Sequence, residues 1–112
     1  MSSPSIQQLS ADVCVASQLD AAAMAWVAQA GFKSVINNRP DFEAGPDQPT
    51  SAQVEQAARS AGLAYAYLPV APNVQTAEEV ARFAQLLREM PKPVLAYCRS
   101  GNRSGRLYQA TL

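Results

Sequence analysis

With 112 residues, nearly half of them apolar, and nine basic side chains against nine acidic ones, the chain can build one packed domain but has no charge excess for nucleic acid or a membrane surface. It has no histidine, which excludes Ser-His-Asp and Cys-His triads and His-based metal sites, and its two cysteines alone make a poor zinc site. No apolar run approaches transmembrane length, and Met1-Ser2-Ser3-Pro4-Ser5 lacks the basic and apolar regions of a signal peptide, so residues 1–5 read as a flexible tail and a cytoplasmic location is expected.

Val13–Ala16 reads as the first strand, with Cys14 as a buried strand residue. Residues 19–30 place Leu19, Ala23, Trp26, Val27 and Ala30 at helical spacing, and Gly31 followed by Phe32 has the form of a glycine stop with its hydrophobic partner. Ser34–Asn37 is the second strand. The loop 38–49 that follows holds three of the eight prolines, and its length marks it as functional. Thr50 and Gln53 form a capping box for a helix reaching about residue 61, which Gly62-Leu63 ends in the same way as Gly31-Phe32. Residues 64–68 are the third strand, closed by Pro69. Thr76 and Glu79 open a helix whose apolar face is Val80, Phe83, Leu87 and Met90. Pro91 and Pro93 break the chain before the fourth strand, residues 94–97, and a last helix starts near Ser104.

Strands separated by helices predict a single α/β domain: a four-stranded parallel sheet with helices on both faces. The predicted core is Val13, Val15, Trp26, Val27, Val35, Ile36, Leu63, Tyr65, Leu68, Val80, Phe83, Leu87, Val94 and Leu95. Sites in such sheets gather at the carboxyl ends of the strands. That edge collects residues 17–18, 38–41 and 70–72 together with the segment after residue 97, so Arg39, Asp41 and Glu43 are brought toward Cys98.

Cys98-Arg99-Ser100-Gly101-Asn102-Arg103-Ser104 lies between the fourth strand and the last helix. A cysteine there faces backbone N–H groups and the positive end of the helix dipole, which lowers a thiol pKa and favours the thiolate. Cys98 is the candidate nucleophile and Arg103 the second catalytic residue, bracing the loop. Arg99, Ser100, Gly101, Asn102 and Ser104, with Arg39 and Asp41 from the 38–49 loop, are the candidate substrate-binding residues. A disulfide between Cys14 and Cys98 is not expected in a reducing compartment.

This loop resembles the active-site loop of rhodanese-type sulfurtransferases, in which four residues separate the catalytic Cys from the loop-closing Arg, as they separate Cys98 from Arg103. The segments 31–41, Gly62-Leu63-Ala64-Tyr65 and Tyr67-Leu68-Pro69-Val70 resemble the small tyrosine-phosphatase-like domain of bacterial beta-lactamase-hydrolase-like proteins, over roughly residues 6–110. That resemblance implies a phosphatase-like fold and, as partner, a persulfide dioxygenase of the metallo-beta-lactamase type. The phosphatase pattern has His before the Cys and five residues between Cys and Arg, whereas Tyr97 precedes Cys98 here and the loop is one residue shorter.

Val70-Ala71-Pro72-Asn73 offers no acid to protonate a leaving group, which sulfur transfer to or from sulfite or a thiolate does not need. The expected function is therefore a sulfurtransferase: Cys98 takes sulfane sulfur from a small sulfur-containing anion or persulfide and passes it to a thiol, sulfite or cyanide, with no metal or organic cofactor. The alternatives are a phosphatase using Cys98 as phosphoryl acceptor and a non-catalytic module that senses persulfides or anions.

Overall fold

The computed structural model of the chain describes residues 4–112. Its strands are β1 (Ile6–Gln8), β2 (Val13–Ala16), β3 (Ser34–Asn37), β4 (Ala64–Tyr67) and β5 (Val94–Tyr97). The helices are α1 (Met24–Gln29), α2 (Ser51–Ser60), α3 (Ala77–Glu89) and α4 (Asn102–Ala110). The sheet order is β1-β2-β5-β3-β4, with β5 in the centre, and the pairs β2·β5, β5·β3 and β3·β4 are parallel.

Two expectations are corrected here: the sheet has five strands rather than four, and it is not wholly parallel. β1 pairs antiparallel with β2, Ile6 opposite Ala16 and Gln8 opposite Cys14. The segment is three residues long, two of them glutamine and all exposed, so it carries no alternation for a sequence reading to detect. The N-terminal tail is also partly tied down. Ser5 donates its N–H to the Ser17 hydroxyl at 2.9 Å and accepts the Ser17 N–H through its carbonyl at 2.9 Å. Residues 1–3 of the predicted flexible tail lie outside the described residues.

Local chemistry accounts for the helix ends. Both capping boxes, Thr50 with Gln53 and Thr76 with Glu79, are formed in both directions. Gly31 and Gly62 sit at φ of 101° and 85°, and each closes a Schellman motif. The Phe32 N–H reaches the Val27 carbonyl and the Leu63 N–H the Ala58 carbonyl, at 3.3 and 2.9 Å. The helix predicted over 19–30 is shorter and begins as a 3-10 turn at Ala21–Ala23, because the Asp20 carboxylate caps the Ala23 N–H at 3.0 Å. α4 begins at Asn102, two residues before the predicted start.

The core has two layers, one on each face of the sheet. Leu95 of β5 packs with Met24, Val27, Val54 and Ala58 of α1 and α2, while Val94 and Ala96 pack with Phe83, Leu86 and Leu107 of α3 and α4. On α3 the covered residues are Phe83 and Leu86, with Met90 covered just past its end, and Val80 and Leu87 are only half-buried at the rim of that layer. Trp26 and Leu68 are half-buried as well. The register places Cys14 opposite Leu95, three residues short of Cys98. That offset is about 10 Å along the strand, too far for a disulfide, and both cysteines are free.

Tyr97, the last residue of β5, is buried under the first layer with its hydroxyl close to that of Tyr65, but the two do not align as a hydrogen bond and the Tyr97 hydroxyl meets no other partner among the described residues. The neighbouring Tyr65 hydroxyl accepts the Asn37 Nδ2 at 3.1 Å and pairs with the Ser51 hydroxyl at 2.8 Å. Burial first, then the surrounding Tyr65, Asp41 and Tyr67, pushes the Tyr97 pKa far up, so the group stays neutral. A buried hydroxyl without a partner destabilises by about 1–3 kcal/mol. Tyr97→Phe is therefore expected to raise the melting temperature by about 5 °C. A thermal melt that falls instead shows that the hydroxyl is bonded in solution.

Candidate active site

The site is built at the carboxyl end of the central strand, where the chain turns from β5 into α4. The turn hinges on Gly101, at φ 97°, where a Cβ would come within 3.4 Å of the Ala16 carbonyl carbon on β2. The space would admit a Cβ in van der Waals contact, and it is the dihedral that calls for glycine. Two further bonds fasten the loop to the end of β2 and the segment beyond it: the Cys98 N–H to the Ala16 carbonyl at 3.3 Å, and the Gln18 N–H to the Arg99 carbonyl at 3.1 Å.

Cys98 is 1 % exposed, and its sulfur accepts the Gly101 N–H at 3.1 Å. Burial alone raises its thiol pKa. Hydrogen bonds from the backbone N–H groups of Ser104, Gly101 and Ser100 outweigh burial, and the net position is below the ordinary thiol value. The Ser104 hydroxyl donates to Asn38 Oδ1 at 2.8 Å, and Asn38 is oriented by its own Nδ2 bond to the Leu68 carbonyl at 3.0 Å. Arg99, Ser100 and Asn102 are exposed around the loop.

Arg103 does not stand free. Its Nη1 and Nη2 hold the two oxygens of Glu43, each at 3.1 Å, and Nη1 also donates to the Val70 carbonyl at 3.0 Å. The same carboxylate accepts Arg39 Nε at 2.9 Å, and Arg39 Nη1 bonds Gln18 Oε1 at 2.9 Å. Burial raises the Glu43 pKa, but the two guanidinium groups outweigh it and hold the carboxyl below the usual glutamate range. With both oxygens committed to cations, Glu43 is a brace rather than a proton donor. Arg103 Nε is buried and has no partner among the described residues, which leaves one donor of this guanidinium uncommitted.

The fold thus links Arg39 to Arg103 through Glu43 and brings the N–H groups of Ser100, Gly101 and Ser104 to the sulfur, while the side chains of Arg99 and Asn102 stand exposed on the same loop. Asp41 is placed differently. Its carboxylate accepts the Ser51 N–H at 2.8 Å, and its own N–H donates to the Tyr67 hydroxyl at 2.9 Å, which commits it to the start of α2. Gln18, Asn38, Glu43 and Val70 complete the support of the loop without having been among the sequence-predicted binding residues. The available signal was position alone: Asn38 directly follows a strand at the site edge, and Glu43 lies in the proline-rich loop. Among the described residues no group of three or more His, Cys, Asp or Glu side chains is arranged to hold a metal. No helix among them is long and apolar enough to cross a membrane.

Residues 5–111 match the family model described as the phosphatase-like domain of beta-lactamase hydrolase-like proteins. A beta-lactamase hydrolase-like protein of Agrobacterium fabrum is 42 % identical over 78 residues, and one from Xylella fastidiosa strain Temecula1 is 40 % identical over 81. These matches cover 70 % and 72 % of this chain but 18 % and 19 % of the two relatives, so the chain spans less than a fifth of either. Among solved structures, a candidate phosphatase of Neisseria meningitidis Z2491 superposes with a TM-score of 0.79 at 36 % identity, over 90 % of this chain and 71 % of that one.

Proposed function

The chain belongs to the phosphatase-like domain family of beta-lactamase hydrolase-like proteins, and on that premise we propose that it is a cysteine-dependent phosphatase acting on phosphate monoesters. The observation that carries the reading is the Cys98 sulfur, held at the start of α4 with its pKa below the ordinary thiol value and the Gly101 N–H at 3.1 Å. A thiolate in a ring of N–H groups is both a nucleophile and one wall of an anion site.

In the first step the Cys98 sulfur bonds to phosphorus, and the ester P–O bond breaks with its electron pair leaving on oxygen. In the second, water attacks phosphorus, the S–P bond breaks, and phosphate and the thiolate are released. The loop N–H groups and Arg103 Nε offset the charge on the phosphoryl oxygens in both steps. Arg99 draws the dianion in from solution.

Departure of the ester oxygen is the weak point of this site. Glu43 is locked between two arginines, Asp41 caps α2, and residues 70–73 contain no acid. Without a proton donor, the rate follows the acidity of the leaving group. Across aryl phosphates whose phenols span pKa about 7 to 10, kcat/KM is expected to fall by roughly two to three orders of magnitude. Initial rates over such a series check this, and a flat dependence shows that an acid is delivered to the leaving oxygen.

The Cys-x4-Arg spacing favours sulfur transfer, whereas the phosphatase-like family and the phosphatase-type neighbour support the phosphatase reading over it. The same missing acid is the observation that keeps sulfur transfer as the second reading, with a sulfane-sulfur donor and, as partner, a persulfide dioxygenase of the metallo-beta-lactamase type. Mass spectrometry after incubation with thiosulfate or glutathione persulfide separates the two. A stable gain of one sulfur on Cys98, with no aryl phosphate turnover, reverses the order.

A further inference from the structure

Asn38, the first residue after β3, is fully buried at the carboxyl end of that strand. Its backbone is fixed without help from its side chain. The Asn38 N–H donates to the Tyr97 carbonyl at 2.8 Å, and the Asn38 carbonyl accepts the Val70 N–H at 3.0 Å. The side-chain amide stands between the Leu68 carbonyl, 3.0 Å from Nδ2, and the Ser104 hydroxyl, 2.8 Å from Oδ1.

The direction of both bonds follows from the groups themselves. A backbone carbonyl only accepts, so the amide nitrogen faces Leu68 and the amide oxygen faces Ser104. An amide oxygen carries no proton, so the Ser104 hydroxyl is the donor, and a hydroxyl has one proton to give. Ser104 is itself fully buried, so solvent does not compete for that proton. The Cys98 sulfur is a second acceptor within reach of the same hydroxyl. With the proton directed to Asn38, the sulfur is left with the backbone N–H groups of Ser104, Gly101 and Ser100.

We propose that Asn38 is a positioning residue for the nucleophile: it holds the Ser104 hydroxyl proton away from the Cys98 sulfur, so that backbone N–H groups alone stabilise the thiolate. The proposal rests on the thiolate reading of Cys98 given above and names what sets its strength. Each donor added to a thiolate lowers its pKa, and nucleophilicity falls with the pKa. A sulfur denied the hydroxyl is therefore ionised by the loop yet remains the stronger nucleophile. The charged groups on the segments packed around this loop are Arg99 of the loop, Arg103 of α4, and Arg39 and Glu43 of the segment after β3. Residues 17–19 and 68–75 carry none.

The pH dependence of Cys98 alkylation by iodoacetamide, read by mass spectrometry on the Cys14→Ser protein, tests this without a phosphate ester. Asn38→Leu, Ser104→Ala and the two together are added to that background, and all four charged groups stay in place. Asn38→Leu keeps the branched shape and removes the acceptor, so the hydroxyl turns to the sulfur and the apparent pKa of Cys98 is expected to fall by about one unit. Ser104→Ala should leave it within about 0.3 units, and the double variant should return to the parent's value. Loosening of the loop would instead raise the pKa, because the sulfur would lose N–H donors while staying buried. Should Asn38→Leu not fold, Ser104→Ala decides alone. A rise of roughly half a unit or more in Ser104→Ala overturns the proposal, because the hydroxyl then already serves the sulfur. An Asn38→Leu value at or above the parent's overturns it as well. A parent whose Cys98 titrates at or above the ordinary 9.0 overturns the thiolate reading itself, and the proposal with it.

Discussion

Cys98→Ser is expected to lose turnover by about 10³-fold or more while folding as the parent does near neutral pH. The hydroxyl fits the space of the thiol and accepts the same Gly101 N–H, so no buried polar group is left without a partner. A serine hydroxyl does not ionise in this cradle, so the nucleophile is gone. Stability carries a second signature, in its pH dependence. The folded thiol ionises below its ordinary value of 9.0, so the thiolate's contribution to stability is complete above that value and is lost as the pH falls through the folded pKa. The gap in melting temperature between parent and Cys98→Ser should therefore be widest in alkaline solution and close toward acid. Cys14→Ser is the control. Cys14 is half-buried rather than fully enclosed as the strand pattern implied, so this variant should retain activity with little loss of stability. Kinetics and melts of both proteins between pH 6 and about 10 check these statements, and an active Cys98→Ser protein removes the nucleophile from the mechanism.

Glu43→Ala is expected to be the most damaging substitution for stability. The side chains of Arg39 and Arg103 are 8 % and 6 % exposed, and this one carboxylate compensates both. Glu43 keeps part of its side chain in water, 23 % exposed, so removing it costs less than a fully buried pair would, on the order of 2–3 kcal/mol. A fall in melting temperature of roughly 10 °C follows for a domain of this size. Inorganic phosphate should also bind more weakly as Arg103 loses its orientation, and Glu43→Gln should fall between the two in both measurements.

The pH dependence of Glu43 runs opposite to a loss in alkali. Its folded pKa is depressed below the ordinary 4.5, so its stabilisation is complete above that value and is lost as the pH falls through the folded one. The parent should lose stability in that acid window, and Glu43→Gln should lose less of it. Melts of the two proteins at pH 7 and pH 3 decide the matter, and a Glu43→Ala protein that melts within about 2 °C of the parent at pH 7 overturns the brace.

How much of this was legible depended on how far apart the interacting residues lie. The capping boxes at Thr50 and Thr76 and the glycine stops at Gly31 and Gly62 were readable because each is completed within six residues by backbone and side-chain groups of the same turn. The Cys98 cradle was readable for the same reason, since Gly101 and Ser104 bond a sulfur only three and six positions away. β1 was not readable, because Ile6-Gln7-Gln8 has no buried face and exists as a strand only through its pairing with β2.

Pattern within the chain was enough for the α/β plan, the capping boxes, the glycine stops and the place of Cys98 between the central strand and the last helix, all of which rest on periodicity and on hydrogen bonds between near neighbours. The tertiary structure alone decided the roles of the charged loop residues. Glu43 meets Arg103 across 60 positions because β3 lies beside β5, and Asp41, two residues away, is drawn instead to the N–H of Ser51. From the chain, both carboxylates belonged to the loop brought toward Cys98, and no pattern distinguished their roles. In the fold one is clamped between buried guanidinium groups and the other caps a helix, because a carboxylate goes to whichever donors the packed strands and helices present, and no local pattern records which those will be.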